Sequence, residues 1–201
     1  PSDKSSLVRW EFSSNDDADM GYQTGKALIA KMNDGKYYAL ISNGYNSAGG
    51  NAALFLLNTQ GPESSGWTNN RKIKIPVSSS VTGAGFNGLS APRTVDLNDD
   101  GTVDLIYAGD LHGNVWKFDV RGTTSAEWVV GLSGAPLFKA VVADGKPQPI
   151  VAAPALSLHP TKNKVLDENN DGKADNTDVV MVMVGTGKFL EQCDSVGACD
   201  G

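Results

Sequence analysis

A unit of four short apolar runs, each bounded by Gly, Pro, Asn or Asp, occurs twice along this 201-residue chain and begins a third time. The runs of the first unit are 27–32, 36–42, 52–58 and 71–77; those of the second are 92–97, 104–109, 114–120 and 136–142. The third unit opens with 150–158 and 178–185. Runs of this length between turn residues read as strands, and no stretch sustains the 3.6-residue periodicity of an amphipathic helix. Four strands per repeat without intervening helices predict an all-β fold, a partial β-propeller of four-stranded antiparallel blades; a β-sandwich of irregular strands is the alternative. The expected division is a blade end at 1–24, a blade at 25–80, a blade at 88–143 and a partial blade at 149–201. Three units are too few for a closed ring of about four to eight blades. Residues 7–12 read as the closing strand of a preceding blade and 188–190 as the start of a further strand, so the chain reads as a fragment of one propeller domain.

Within each unit the hairpin between the first two runs carries Asn or Asp and Gly. In the first unit it is the bare turn Met32-Asn33-Asp34-Gly35, and in the next two it expands into Asp-x-Asn-x-Asp-Gly-x-x-Asp. One copy comprises Asp96, Asn98, Asp100, Gly101 and Asp104, the other Asp167, Asn169, Asp171, Gly172 and Asp175. Oxygen side chains at loop positions 1, 3 and 5, a glycine turn, a carbonyl at position 7 (Thr102 or Lys173) and a closing Asp suit a hard cation such as Ca2+. A solvated turn is the blander account of one copy, since Asp, Asn and Gly favour turns anyway. Two copies with oxygen in every ligand slot favour calcium. The residues argue against an EF-hand, because its bidentate Glu at position 12 is replaced by Tyr107 and Asp178 and the flanks are strand-like.

A formal net charge of −6 argues against a nucleic-acid partner. No apolar run approaches the ~18 residues of a membrane-spanning helix. Cys193 and Cys199 are the only cysteines, and in an exported protein that spacing suggests a disulfide; two free thiols or partners beyond residue 201 are the alternatives. Two cysteines alone are too few for a zinc site. His112 and His159 fall in different units and are expected at the surface, whereas Trp10, Trp67, Trp116 and Trp128 are expected in strand packing. Gly185-Thr186-Gly187-Lys188 lacks the context of a phosphate loop and reads as a turn.

Several motifs together resemble one family. They are Trp10-Glu11-Phe12, Asp19-Met20-Gly21-Tyr22, Ser42-Asn43-Gly44-Tyr45-Asn46 and Gly88-Leu89-Ser90-Ala91-Pro92, followed by the stretches 107–111, 113–119 and 185–191. Their combination, from about residue 7 to residue 191, resembles the C-terminal propeller of the PilC/PilY family, large surface proteins of type IV pili. The resemblance implies an exported, non-enzymatic, calcium-regulated factor at the pilus tip or bacterial cell surface. Such a factor sits with minor pilins, supports extension against retraction (and so twitching motility), and often mediates adhesion. A host-surface receptor would be met through an N-terminal region absent here. The family's calcium loop lies where Asp96 to Asp104 lie, with ligands matching Asp96, Asn98, Asp100, Thr102 through its carbonyl, and Asp104. The loop at Asp167, Asn169, Asp171, Lys173 and Asp175 rests on spacing alone. Two other classes remain: a carbohydrate-binding or structural extracellular propeller, and, ranked last, a quinone-dependent dehydrogenase, for which the adjacent cysteine pair and tryptophan-docking repeats are missing.

Overall fold

The computed structural model describes residues 8–78, 86–158 and 180–187. Strands β1 (Leu28–Lys31), β2 (Tyr37–Ser42), β3 (Ala53–Asn58) and β4 (Lys72–Pro76) form an antiparallel meander in chain order. A second meander follows, with β5 (Arg93–Val95), β6 (Leu105–Gly109), β7 (Asn114–Asp119) and β8 (Val129–Val130). Strand β9 (Phe138–Lys139) also pairs with β7, and β10 (Ala155–Leu158) with β11 (Val180–Met183) begin a third sheet. Two short 3-10 turns are the only helical elements among the described residues.

The middle strands explain the stacking. Every residue of β3 and of β6 is buried, so each presents apolar side chains to both faces of its sheet. Leu54 and Leu56 of β3, with Tyr38 and Leu40 of β2, face the second sheet, where Ile106, Ala108, Trp116 and Phe118 meet them in one core. The alternate residues Ala53, Phe55 and Leu57 face the other way, onto Trp10, Phe12 and Trp67. Likewise Leu105 and Tyr107 turn towards Leu156, Val180 and Val182 of the third sheet. Burying a Leu, Ile or Phe contributes about 1.5–3 kcal/mol, and here both faces of one strand contribute. Face-to-face stacking of consecutive four-stranded sheets is the propeller arrangement.

Two expectations are corrected. The outer strand of the second sheet, expected at 136–142, is divided: β8 pairs with Phe118 and Asp119, while β9 pairs with Asn114 and Val115. Between them Leu132, Ser133 and Gly134 all have positive φ, and Pro136 has no N–H to give to a ladder. Residues 8–12, expected as a strand, have no regular structure. They attach through rings. Trp10 and Phe12 lie edge-on to Trp67 with centroids 5.2 and 5.3 Å apart. Trp10 Nε1 donates to the Thr59 carbonyl at 3.1 Å, and Trp67 Nε1 to that of Glu11 at 3.2 Å. Trp128 likewise lies outside the strands and is buried, edge-on to Tyr38.

Two buried polar side chains hold the turns after β2 and β6, and the first of them also reaches the next sheet. Asn43, immediately after β2, donates from Nδ2 to the carbonyls of Asp19 and Asn51 and accepts at Oδ1 from the N–H of Ala53 and of Leu89. Asp110 holds the corresponding place after β6 and is fully buried. Its Oδ1 accepts from the N–H of His112 and Asn114, and its Oδ2 from Asn87 Nδ2, Asn114 Nδ2 and Trp116 Nε1, all within 2.8–3.0 Å. His112, expected at the surface, is half-buried in this turn, with Nδ1 enclosed. Asp110→Ala would leave these donors without their acceptor, and we expect a loss of about 3–5 kcal/mol in denaturant unfolding.

The N-terminal segment is also held by charge. Asp17 receives Lys72 Nζ at 3.0 Å and Lys74 Nζ at 2.8 Å, and Lys74 also meets Asp19. Burial by itself raises the Asp17 pKa, but the hydrogen bonds from Lys74 and Lys72 outweigh it and hold the carboxyl below its ordinary 3.8. A lowered folded pKa gives stability that is complete above the unfolded value and is lost as pH falls through the folded one. Tryptophan fluorescence should therefore report loosening of Trp10 and Trp67 only below about pH 4, and Asp17→Asn should remove that step.

Candidate metal centre

The hairpin between β5 and β6 carries the first acidic loop, with an exposed half and an anchored half. Asn98, Asp99, Asp100 and Gly101 are exposed, whereas Val103 and Asp104 are buried. The exposed half is shaped by its own side chains. Asp96 accepts from the N–H of Asp100 at 3.2 Å and of Gly101 at 2.7 Å. Asp100 accepts from Thr102 N–H at 2.8 Å, from the Thr102 hydroxyl at 2.5 Å and from Asn98 Nδ2 at 3.2 Å. Gly101 takes φ +84°, as the sharp turn demands, and a Cβ there would meet nothing within 4 Å.

The anchored half belongs to the seam between sheets. Val103 N–H donates to the Lys31 carbonyl at 3.0 Å, and Met32 and Val103 form a parallel bridge. The Val103 side chain enters the core shared by the first two sheets. Asp104 lies at the foot of the loop, where one oxygen accepts from Leu97 N–H at 2.7 Å. Burial pushes its carboxyl above the ordinary value, and the charges of Asp100 and Asp96 push it further. Asp100, by contrast, is held below the ordinary value, chiefly by the Thr102 hydroxyl.

The donor set therefore fits a hard cation in kind: every candidate side chain offers oxygen, and a buried carboxylate feels two further anions. It is not gathered as a closed cage. Among the described residues no three His, Cys, Asp or Glu side chains form a group that could hold a metal ion, and the oxygens of Asp96 and Asp100 are engaged with loop N–H groups. The second loop, at Asp167, Asn169, Asp171, Lys173 and Asp175, and the pair Cys193 and Cys199 lie outside the described residues, as does His159.

The sequence reading missed Asn33. Its Nδ2 crosses the seam to the carbonyls of Val103 and Val120 at 2.8 and 3.1 Å. The available signal was its place in the turn equivalent to the acidic loop. Asn43 and Asp110 lie within the family motifs, and each is the buried hub of its turn.

Stacked four-stranded sheets with an acidic loop at one hairpin define a β-propeller segment. Residues 11–199 match the family described as the PilY1 beta-propeller domain, and the chain belongs to that family. It is 32% identical over 206 residues to the type IV pilus biogenesis factor PilY1 of Pseudomonas aeruginosa strain UCBPP-PA14, covering 92% of this chain and 16% of that protein. A PilY1 homolog of Xylella fastidiosa is 36% identical over 166 residues, covering 80% of this chain and 11% of the relative. The crystal structure of the Pseudomonas aeruginosa PilY1 C-terminal domain superposes with a TM-score of 0.74 at 33% identity, over 93% of this chain and 37% of that one. The chain thus spans less than a fifth of the curated relatives it matches. Those relatives are named as biogenesis factors, which agrees with the resemblance read from the motifs.

Because Gly101 has open space around it, Gly101→Ala isolates backbone strain from crowding. We expect it to cost about 1–2 kcal/mol in unfolding measured in chelator.

Proposed function

We propose that this chain is a calcium-binding propeller segment of a type IV pilus biogenesis factor. In this reading it acts at the exported pilus tip, alongside minor pilins, in pilus extension, surface attachment and twitching motility. Its role is non-catalytic. The observation that carries the calcium reading is the buried Asp104 at the foot of an oxygen-only loop, its carboxyl held up by burial and by Asp100 and Asp96. Asp96, Asn98, Asp100, the Thr102 carbonyl and Asp104 would hold the ion. Bound there, Ca2+ would supply positive charge against three carboxylates that otherwise repel one another.

The protein's own part is to set what that charge does. Val103 ties the loop to the first sheet, so ordering of the exposed half is felt at the seam. A partner that prefers the ordered hairpin would bind more tightly when the loop is loaded, and by linkage would raise the loop's affinity in return. Pilin or receptor contacts of the whole protein would reach this segment through that hairpin. The carbohydrate-binding alternative loses support at Trp128, which is 4% exposed and packed on Tyr38.

Calorimetric titration with CaCl2, in a background where Asp171→Ala disables the second loop, tests this. Asp100→Ala and Asp104→Asn should each weaken binding by more than about tenfold, the scale on which even outer-shell changes act. Unchanged binding by both would overturn the calcium reading. In cells, Asp104→Asn in the parent protein should alter pilus extension across calcium concentrations while the propeller stays folded by circular dichroism.

A further inference from the structure

Asn33 and Asp34 are adjacent in the turn between β1 and β2, yet they serve different sheets. Asp34 looks after its own hairpin, accepting from the Tyr38 hydroxyl at 2.8 Å and from Lys36 N–H at 3.0 Å. Asn33 gives Nδ2 to the second sheet, to the carbonyls of Val103 and Val120, and its Oδ1 stands 3.2 Å from the Thr102 hydroxyl oxygen. That hydroxyl has one proton, and the nearer acceptor, Asp100 Oδ1 at 2.5 Å, is the better claimant.

These contacts lock the two peptide units around Val103. The Thr102–Val103 unit is held by Val103 N–H on the Lys31 carbonyl. In a trans peptide the C=O points opposite to the N–H, so this bond turns the Thr102 carbonyl away from the first sheet. The Val103–Asp104 unit is held at both ends, its carbonyl by Asn33 Nδ2 at 2.8 Å and its N–H on the Val95 carbonyl at 2.9 Å. Thr102 and Asp104, two of the five candidate ligands, therefore leave the locked segment with set directions. The remaining three stand on the half of the loop that is exposed or half-buried.

We propose that Asn33 is a positioning residue for the 96–104 loop, so that the neighbouring blade sets the affinity with which this loop takes a divalent cation; the proposal rests on the calcium reading above. Without the Asn33 amide the Val103 carbonyl loses its partner. The Val103 and Asp104 N–H groups and the Val103 side chain stay held. The ion must then restore the order lost at that one peptide unit, which is subtracted from its affinity. A carboxylate cannot serve at this place. Both contacts at Nδ2 need a donor, and a carboxylate would face two carbonyl oxygens with none.

The test uses the full chain carrying Asp171→Ala, titrated with CaCl2 by calorimetry. Asn33→Ala should weaken Ca2+ binding by about three- to tenfold, the effect of losing the one neutral hydrogen bond that reaches the loop. Asp34→Ala disturbs the same turn without touching the loop, and it should stay within about twofold of the parent affinity even where it lowers the melting temperature in chelator. Asn33→Ser, which keeps one short donor, should fall between and serves if the alanine variant does not fold. Parent-like affinity in Asn33→Ala or, failing that variant, in Asn33→Ser overturns the positioning role. So does an equal loss in Asp34→Ala, which would reduce Asn33 to general hairpin stability. Failure of the calcium reading looks different: Asp100→Ala then binds Ca2+ like its parent, or the parent binds none.

Discussion

Burial of β3 and β6 on both faces is the constraint on which the rest of the structure depends. A strand with apolar side chains above and below cannot end at a single sheet, so each meander must find a neighbour on either side. The first sheet finds the second on one face and the aromatic group of Trp10, Phe12 and Trp67 on the other. The second sheet is covered in turn by β10 and β11. With the sheets stacked on this plan, the turns after β2 and β6 are buried, and their backbone polar groups must be satisfied without water. Asn43 and Asp110 meet that need by offering side-chain oxygens to main-chain N–H groups of their own turns, and Asn43 also to Leu89 across the seam.

The same seam gives the acidic loop its character. A loop made only of aspartates, asparagine and glycine would be a solvated turn. Here residue Val103 interrupts it with a side chain that belongs to the shared core, so the last two candidate ligands emerge from a fixed support. Asp104 bears the cost of that support in electrostatics, because burial removes water from a carboxylate that already faces Asp96 and Asp100. The proposed function depends on this combination of local rigidity and unbalanced charge.

The strand order and the four-stranded unit were legible because strand length and turn residues are local signals. All four strands of the first sheet fall inside the runs read from the sequence, with ends shifted by about a residue. What was not legible was set by contacts across sheets. Whether residues 8–12 pair as a strand depends on an available edge, and the rings of Trp67 and Phe55 offered a better attachment. The division of the outer strand into β8 and β9 follows from backbone conformations at Leu132 and Ser133, residue types that give no warning of positive φ. The role of Asn33 depends on Val103 and Val120, far away in sequence. The acidic spacing could be read as an oxygen-donor set, but not how its carboxylates are engaged.

The unequal halves of the 96–104 loop also govern how its length can change. Between Asn98 and Gly101 the chain is exposed, so an added residue would lengthen a surface turn at small entropic cost. One residue added after Val103 would act differently. It would slide β6 by one place against β5 and β7, and a strand buried on both faces has no harmless register. Ile106 and Ala108 would be traded for Leu105 and Tyr107 at the seam with the first sheet, placing a phenol ring where an alanine methyl now fits. Added length on the N-terminal side of the glycine would thus leave the sheets in register and disturb only the spacing of Asp96, Asn98 and Asp100, whereas the Val-Asp step must keep its distance to β6 for the sheets themselves to pack.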